Sequence, residues 1–286
     1  MSTQSRSGRR QRKVRETRVR TLVFSGFLAA LAVVGLLVAL LLNIFISNNV
    51  IKRTQREVGH AIKMAWTVYD NQMETLATVA DLLSRSTTTG RLSVTDRQAA
   101  EIRQRYQIDY IVFDPASAPD SLPGGTVKRE TKVLSSEELA RIDTELAERA
   151  RIPEVPTRMA RSISRGMLTD GLVMEACASV PGPDGKHSST VRVGRLLNRN
   201  FDLIDLMQKA IFGNATYAGK PVGTVTIFLD DMRVATNVVN GDGTRAIGTR
   251  MAWNVYRKVV EEGVPWVDRA FVVNDWYLSA YEPIRN

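Results

Sequence analysis

The sequence VGHAIKMAWTVYDNQMETLATVADLL, residues 58–83, predicts a long helix around which the rest of the chain is organised. Its apolar residues recur in steps of 3 or 4, which is the spacing of one face of an α-helix. This apolar stripe consists of Val58, Ile62, Ala65, Tyr69, Met73, Leu76, Ala80 and Leu83. One interpretation is that the stripe packs only on its own domain. The other, which we favour, adds a parallel dimer along the same stripe.

The chain before this helix is divided sharply by charge. Residues 1–20 carry eight basic side chains and one acidic one, whereas residues 21–51 carry no charge. An apolar run of this length can cross a hydrocarbon core about 30 Å thick, and basic flanks stay on the cytoplasmic side. We therefore predict a cytoplasmic tail at 1–20, a transmembrane helix at 21–47 and an extracytoplasmic domain after about residue 48. A cleaved signal peptide is the alternative, but its apolar region is shorter.

The net charge of +9 does not indicate a nucleic-acid-binding protein. Most of the excess lies in residues 1–20, and the remaining 266 residues hold 31 basic and 29 acidic side chains. A basic excess next to an apolar span is typical of membrane topology, so we predict a lipid bilayer and no nucleic acid as a partner.

Cysteine and histidine are too scarce for most kinds of site. Cys177 is the single cysteine, so it has no partner for a disulfide within the chain. His60 and His187 are the two histidines; the first lies in the predicted helix and the second in a Gly/Ser-rich turn. A His/Cys zinc site or a Ser/His/Asp triad is therefore disfavoured. We predict no catalytic residue, metal or cofactor, and a buried, inert thiol at Cys177 rather than a redox sensor.

The region after the long helix predicts two small α+β modules in succession, each with helices beside antiparallel strands. The first module, 86–198, combines a capping box at Ser135 and Glu138 with strand and turn signals. Its predicted elements are helices at 95–106 and 135–151 and strands at 109–114, 172–180 and 189–197. A connecting helix, 199–216, leads to the second module, 217–286. That module is predicted to contain strands at 223–229, 233–238, 266–273 and 276–283 and a helix at 251–262.

Two stretches resemble a known family. Residues 217–285, which begin YAGKPVGTVTIFLDDMRVATNVVNGDGTRAIGTRMAWNVY and end WVDRAFVVNDWYLSAYEPIR, look like the membrane-proximal half of a double Cache domain. VGRLLNRNFDLIDLMQKAIFG (193–213) is similar to the connector of that family. Cache domains are PAS-like extracytoplasmic sensors of bacteria. The resemblance implies a juxtamembrane helix at 48–85, a membrane-distal Cache module at 86–198 and a membrane-proximal module at 217–286. In the family a further strand follows the YEPIR segment, so we expect this chain to be the N-terminal piece of a longer receptor.

The resemblance also implies a function. We expect the ligand-sensing part of a receptor in the bacterial inner membrane, most readily a two-component sensor histidine kinase. A methyl-accepting chemotaxis receptor or a cyclic-nucleotide enzyme is the alternative output. A membrane-anchored extracytoplasmic enzyme or assembly protein and a passive structural anchor are contrasting classes. The expected partners are a small-molecule ligand such as an organic acid or amino acid, the bilayer and a second copy of the chain.

Polar and aromatic side chains of the second module predict a ligand pocket, because such pockets combine apolar walls with a few convergent polar groups. The candidates are Arg233, Thr236, Asn237, Arg250, Trp266, Arg269, Asn274, Tyr277 and Tyr281. The three arginines come first for a carboxylate ligand, since a guanidinium binds carboxylates bidentately. Alternatively, these arginines pair with Asp230, Asp231, Asp268 or Glu282 on the surface. An alternative pocket in the first module would use Tyr106, Tyr110, Asp114, Arg158, Arg161 and Glu175.

Overall fold

The structure, a computed structural model, describes residues 4–86, 96–115, 126–181, 187–217 and 220–285. Side chains at 4–25, 29, 42–51 and at a few element ends lie outside this description. The chain divides into two compact units, Met1–Arg56 and Glu57–Asn286.

The helices, in chain order, are α1 (Gln4–Ser86), α2 (Asp96–Tyr106), α3 (Ser136–Ile142), α4 (Thr144–Ala150), α5 (Phe201–Phe212) and α6 (Trp253–Tyr256), which runs into a π-helical segment (Arg257–Glu261). The strands are β1 (Tyr110–Pro115), β2 (Val127–Leu134), β3 (Ile152–Pro153), β4 (Met167–Leu168), β5 (Gly171–Pro181), β6 (His187–Leu196), β7 (Thr216–Tyr217), β8 (Lys220–Pro221), β9 (Thr226–Leu229), β10 (Met232–Thr236), β11 (Trp266–Val272) and β12 (Asp275–Tyr281).

The first unit is helical, and its described side chains between Gly26 and Leu41 are exposed. A search of the described residues finds no helix with both the length and the apolarity to span a membrane. The side chains of the predicted tail, 1–20, and part of the predicted span, 21–47, fall outside the description. The transmembrane helix therefore stays a prediction.

In the second unit, α1 supplies one wall of the main core. Tyr69, Met73, Leu76, Ala80 and Leu83 are buried there, as the stripe predicts for packing on its own domain. They are consequently unavailable to a partner chain. At the other end of the stripe Val58, Ile62 and Ala65 are half-buried. A dimer along the stripe stays a prediction, and these three residues are the part of the stripe with exposed surface left for it.

The largest sheet is antiparallel, with strand order β1-β6-β5-β2. One face, including Ala176 and Val193, packs on α1 in the main core. The other face packs Val173 and Leu196 against α3 and α4 through Leu139. The hairpin β5–β6 and strand β1 match the predicted strands, whereas β2 was not predicted.

The helix predicted at 135–151 is two helices. The predicted capping box is present, because the Ser135 side chain accepts from the Glu138 N–H and the Glu138 side chain accepts from the Ser135 N–H. Asp143, however, has an extended backbone (φ −162°, ψ 128°). It ends α3 and begins α4, where its carboxylate accepts a hydrogen bond from the Glu145 N–H at 2.8 Å. An aspartate N-cap of this kind favours a new helix start over continuation.

The region after α5 contains two separate hairpins, β9–β10 and β11–β12. The turn between β9 and β10 is Asp230–Asp231, with Asp230 in the left-handed region (φ 56°). On its other side β10 bonds to residues 248–251, for example from the Arg233 N–H to the Thr249 carbonyl at 2.9 Å. Within the described residues, the outer edges of β9 and β12 have no strand partner. The predicted helix at 251–262 is present as α6 and the π-helical segment.

Candidate ligand-binding site

Strand β10 places a charged side chain in the interior of the second unit. All five of its residues are buried, because the strand lies between β9 and residues 248–251. Arg233, at its second position, is only 1% exposed. A fully buried guanidinium is rare unless it is paired, because burial removes its hydration.

Arg233 has few polar partners for a buried cation. Its Nη1 donates to Thr249 Oγ1, and its guanidinium lies 5.0 Å from the centre of the Phe228 ring. Its Nε has no hydrogen-bond partner, and no carboxylate of the described residues forms an ion pair with it. Burial lowers the pKa of Arg233 to about 10, and the Tyr281 phenol opposes this slightly. The side chain is therefore still charged at neutral pH, with donor capacity left over.

A groove of about 900 Å³ reaches the residues that contact Arg233. Phe228 and Tyr281 line it, with ring centres 6.0 Å apart. Trp66 of α1 forms part of the opposite wall and donates from Nε1 to Glu282 Oε2 at 2.7 Å. The groove follows the unpaired edges of β9 and β12, and its size lies within the range of small-molecule pockets.

The other two candidate arginines have different surroundings. Arg250 is buried, but its Nε donates to Asp231 at 2.7 Å and its Nη1 pairs with Glu154 at 3.1 Å. It is therefore neutralised by one of the expected acids, Asp231, and by Glu154, but in the interior rather than on the surface as the alternative interpretation expected. Arg269 is exposed on β11 and stacks on the Trp276 ring at 5.6 Å. Both buried arginines have one nitrogen without a hydrogen-bond partner, Nε of Arg233 and Nη2 of Arg250, but only Arg233 of the three is buried without a carboxylate beside it among the described residues.

The remaining candidates of this module are divided between the site and its scaffold. Tyr281 and Trp266 pack, like Phe228, on the small core around Val255, and of the two Tyr281 also acts electrostatically on Arg233. Thr236 and Asn237 instead hold the strand pair together: Thr236 Oγ1 lies 2.7 Å from Thr226 Oγ1, and Asn237 Oδ1 accepts from the Val225 N–H at 2.7 Å. Tyr277 and Asn274 are exposed on the β11–β12 hairpin.

The first-module candidates form a cluster around Glu175 on the sheet face opposite α1. Glu175 is fully buried and accepts from the Tyr110 hydroxyl at 2.6 Å. Lys132 lies 2.5 Å and Arg192 3.2 Å from its two oxygens, and Arg192 also pairs with Asp114 at 2.5 Å. Burial and the neighbouring carboxylate raise the pKa of Tyr110 well above its usual value. The cluster is thus internally neutralised.

Three ligand atoms in this cluster, from Glu130, Glu175 and Cys177, lie within 4.8 Å of one another, as a metal site requires. The ammonium of Lys132 contacts both carboxylates, at 2.5 and 3.4 Å, and already supplies the positive charge. Burial raises the pKa of Cys177 to about 12, with Glu175 adding to the shift. These residues therefore form an ion-pair cluster with a protonated thiol, the inert state that the sequence predicted.

The other first-module candidates lie elsewhere. Tyr106 packs on the main core, on the α1 side of the sheet, and so is not joined to Tyr110 and Asp114. Arg158 is exposed and stacks on Phe271 at 5.6 Å. Arg161 pairs with Asp230 and Asp231, which places it beside the second-module hairpin rather than in a first-module pocket.

Sequence reasoning did not select three residues that define the site. Thr249 accepts the hydrogen bond from Arg233, and the Phe228 ring stacks on the Arg233 guanidinium. Trp66, on α1, lines the groove. Phe228 sits in a predicted strand two residues before the Asp230–Asp231 turn, so pairing it across the hairpin would have placed it opposite Arg233. No sequence signal links Trp66 or Thr249 to the site.

Comparison with known proteins supports a sensory domain in this part of the chain. Residues 195–286 match the family model of the single Cache domain 3. The match covers one Cache domain, so a second, distal Cache module stays a prediction. The crystal structure of the periplasmic domain of Vibrio cholerae LuxQ is similar at a TM-score of 0.38 and 12% identity, over 79% of this chain and 95% of that one. A likeness this slight supports no argument. No curated protein matches the chain.

Proposed function

We propose that the second unit is the ligand-sensing part of an extracytoplasmic receptor and that Arg233 binds an anionic group of its small-molecule ligand. The Cache match over 195–286 supports the sensory role. The observation that carries the ligand class is the buried guanidinium with an unpartnered Nε beside a groove. A carboxylate provides the acceptors that this side chain lacks, and a buried charge–charge hydrogen bond is among the stronger protein interactions.

The proposal includes a membrane anchor. Phe27 and Leu41 are more than 60% exposed, and the described apolar side chains between them are exposed as well. A continuous apolar surface of this kind is stabilised by lipid rather than by water. With the basic tail in the cytoplasm, the sensory unit lies outside the inner membrane. A second copy of the chain and an output through a two-component histidine kinase, or through a chemoreceptor, complete the proposed receptor.

A thermal-shift screen of the full chain in detergent tests the ligand class. The probes are small carboxylates: acetate, propionate, lactate, succinate and the common amino acids. A ligand at 100 times its dissociation constant stabilises the folded state by about 2.7 kcal/mol, and each kcal/mol raises the Tm of a unit this size by roughly 2–4 °C. We expect at least one probe to raise the Tm of the full chain.

Two variants make the screen specific. Arg233→Met should abolish the shift, because it removes the proposed anion-binding group. Arg269→Met, which removes an exposed arginine of the same module, should leave the shift unchanged. A Tm unmoved by all of these carboxylates, or a shift that persists in Arg233→Met, would contradict the proposal.

A further inference from the structure

Residues 153–166 run from the end of β3 to the start of β4 and lie against the β9–β10 hairpin; we call this segment the strap. Three hydrogen bonds fasten it: Val155 N–H to the Gly248 carbonyl at 2.9 Å, Trp253 N–H to the Met159 carbonyl at 2.8 Å, and Arg250 N–H to Thr157 Oγ1 at 2.9 Å. Most of its side chains are exposed. A segment that is held by polar contacts and buries few apolar side chains belongs to the low-stability end of a fold.

Charged side chains reinforce this attachment at one point. Asp231, 2% exposed, accepts from Arg161 Nε of the strap at 2.9 Å and from Arg250 Nε at 2.7 Å. Arg250 also reaches the strap through Glu154, at 3.1 Å, and through the Arg161 carbonyl, at 3.1 Å. The strap is thus docked mainly through Asp231 and Arg250.

Residues 248–251 hold both the strap and Arg233. Thr249 accepts the Arg233 hydrogen bond, while its neighbours Gly248 and Arg250 bind the strap. Gly248 has φ 81°, and a Cβ there would lie 2.2 Å from the Pro153 carbonyl oxygen, so the two backbones touch directly. A shift of Thr249 therefore cannot occur without moving a strap contact on either side of it.

We propose that residues 248–251 couple Arg233 to the strap, so that an anion taking over the Arg233 donors releases Thr249 and loosens the strap. The signalling meaning of this coupling rests on the proposed anion site. The two states are a docked and a loosened strap. A ligand changes their balance because it replaces the acceptor that the docked state provides to Arg233.

The test is a double-mutant cycle read out by hydrogen exchange on the full chain without ligand. Thr249→Val breaks the side-chain bond between Arg233 and Thr249, the bond that the anion is proposed to displace; it also removes the bond from Thr249 Oγ1 to the Ala246 carbonyl. We expect it to speed exchange in the peptides containing the Val155 and Trp253 amides roughly five- to tenfold, the effect of losing one buried hydrogen bond. In an Arg233→Met background the same substitution should have a clearly smaller effect, because the side-chain bond to Arg233 is already absent and only the bond from Thr249 Oγ1 to the Ala246 carbonyl is lost. The backbone bonds between residue 233 and residues 248–249 are common to all the variants.

Thr131→Val is the matched control. It also removes a buried threonine hydroxyl, but one on β2 of the four-stranded sheet, where it lies 2.6 Å from the Tyr69 hydroxyl. It should leave strap exchange unchanged. Coupling is overturned if Thr249→Val leaves the strap amides as protected as before, or speeds them equally with and without Arg233. No ligand is involved, so this failure would leave the anion site standing, and a failed carboxylate screen would leave the measured coupling intact.

Discussion

The four-stranded sheet and the β9–β10 hairpin of the second unit bury charge in opposite ways. In the four-stranded sheet, buried Glu175 is surrounded by Lys132, Arg192 and the Tyr110 hydroxyl. In the β9–β10 hairpin, buried Arg233 meets one threonine and an aromatic ring. A paired buried charge is part of the scaffold, because removing a partner is costly. An unpaired one weakens the scaffold and is retained where something outside the fold compensates it.

The largest expected effect is on the reactivity of Cys177 in the paired cluster. Its pKa is raised from 9.0 to about 12, so at pH 8 the folded state holds about a thousandfold less thiolate than the unfolded chain. Labelling by iodoacetamide should be slower by roughly that factor in the native protein than in urea. Because Glu175 contributes to the shift, Glu175→Gln should speed native labelling. A native rate close to the unfolded rate would mean that this sheet face is open.

The next effect is the loss of stability when the cluster is broken. Glu175→Gln leaves Lys132 and Arg192 without their buried counter-ion, and we expect a loss of about 3 kcal/mol in the free energy of unfolding by urea. Glu130→Gln, at the edge of the same cluster with a side chain 17% exposed, should cost less than about 1 kcal/mol. Equal losses for the two variants would show that burial does not decide the contribution of these carboxylates.

Removing the unpaired arginine should change the free energy of unfolding in the opposite direction. Arg233→Met removes an uncompensated buried charge at similar volume, so we expect the unfolding free energy to rise by about 1–2 kcal/mol. Arg195 is the matched control: it is also buried, but it donates to the Tyr106 and Gln107 carbonyls and to Gln72. Arg195→Met should therefore destabilise. A clear destabilisation by Arg233→Met would remove the contrast between the two sheets.

The sequence predicted those structural elements whose signals lie within a few neighbouring residues. The stripe at 58–83, the Ser135–Glu138 capping box and the β5–β6 hairpin each depend on spacings within a few residues. Strand β2, VKRETKVL, was not predicted because its charged residues obscure the alternation of apolar and polar side chains that indicates a strand. The residues that neutralise these charges, such as Glu175 for Lys132, lie on other strands of the sheet. The split at Asp143 was missed because a mid-helix aspartate reads as an ordinary polar residue.

For the same reason, only part of the candidate site could be predicted from the sequence. Arg233 and Arg250 occupy equivalent positions in the sequence argument, as basic residues beside predicted strands. What separates them is the location of Glu154 and Asp231, which surround Arg250 and leave Arg233 alone. Asp231 lies 19 residues from Arg250 in the sequence and Glu154 lies 96 residues away, and no local pattern encodes contacts over these separations.

The hydrogen bond from Trp66 to Glu282 has a mechanical consequence. It ties α1, near the beginning of the second unit, to the residue that directly follows β12, across 216 residues of chain. A force applied along α1 therefore reaches the segment after β12 through this contact as well as through the core that α1 shares with the four-stranded sheet, and the contact closes the intervening chain into a ring. Stretching the unit between these two points would load this single indole–carboxylate contact first, before any strand pair begins to separate.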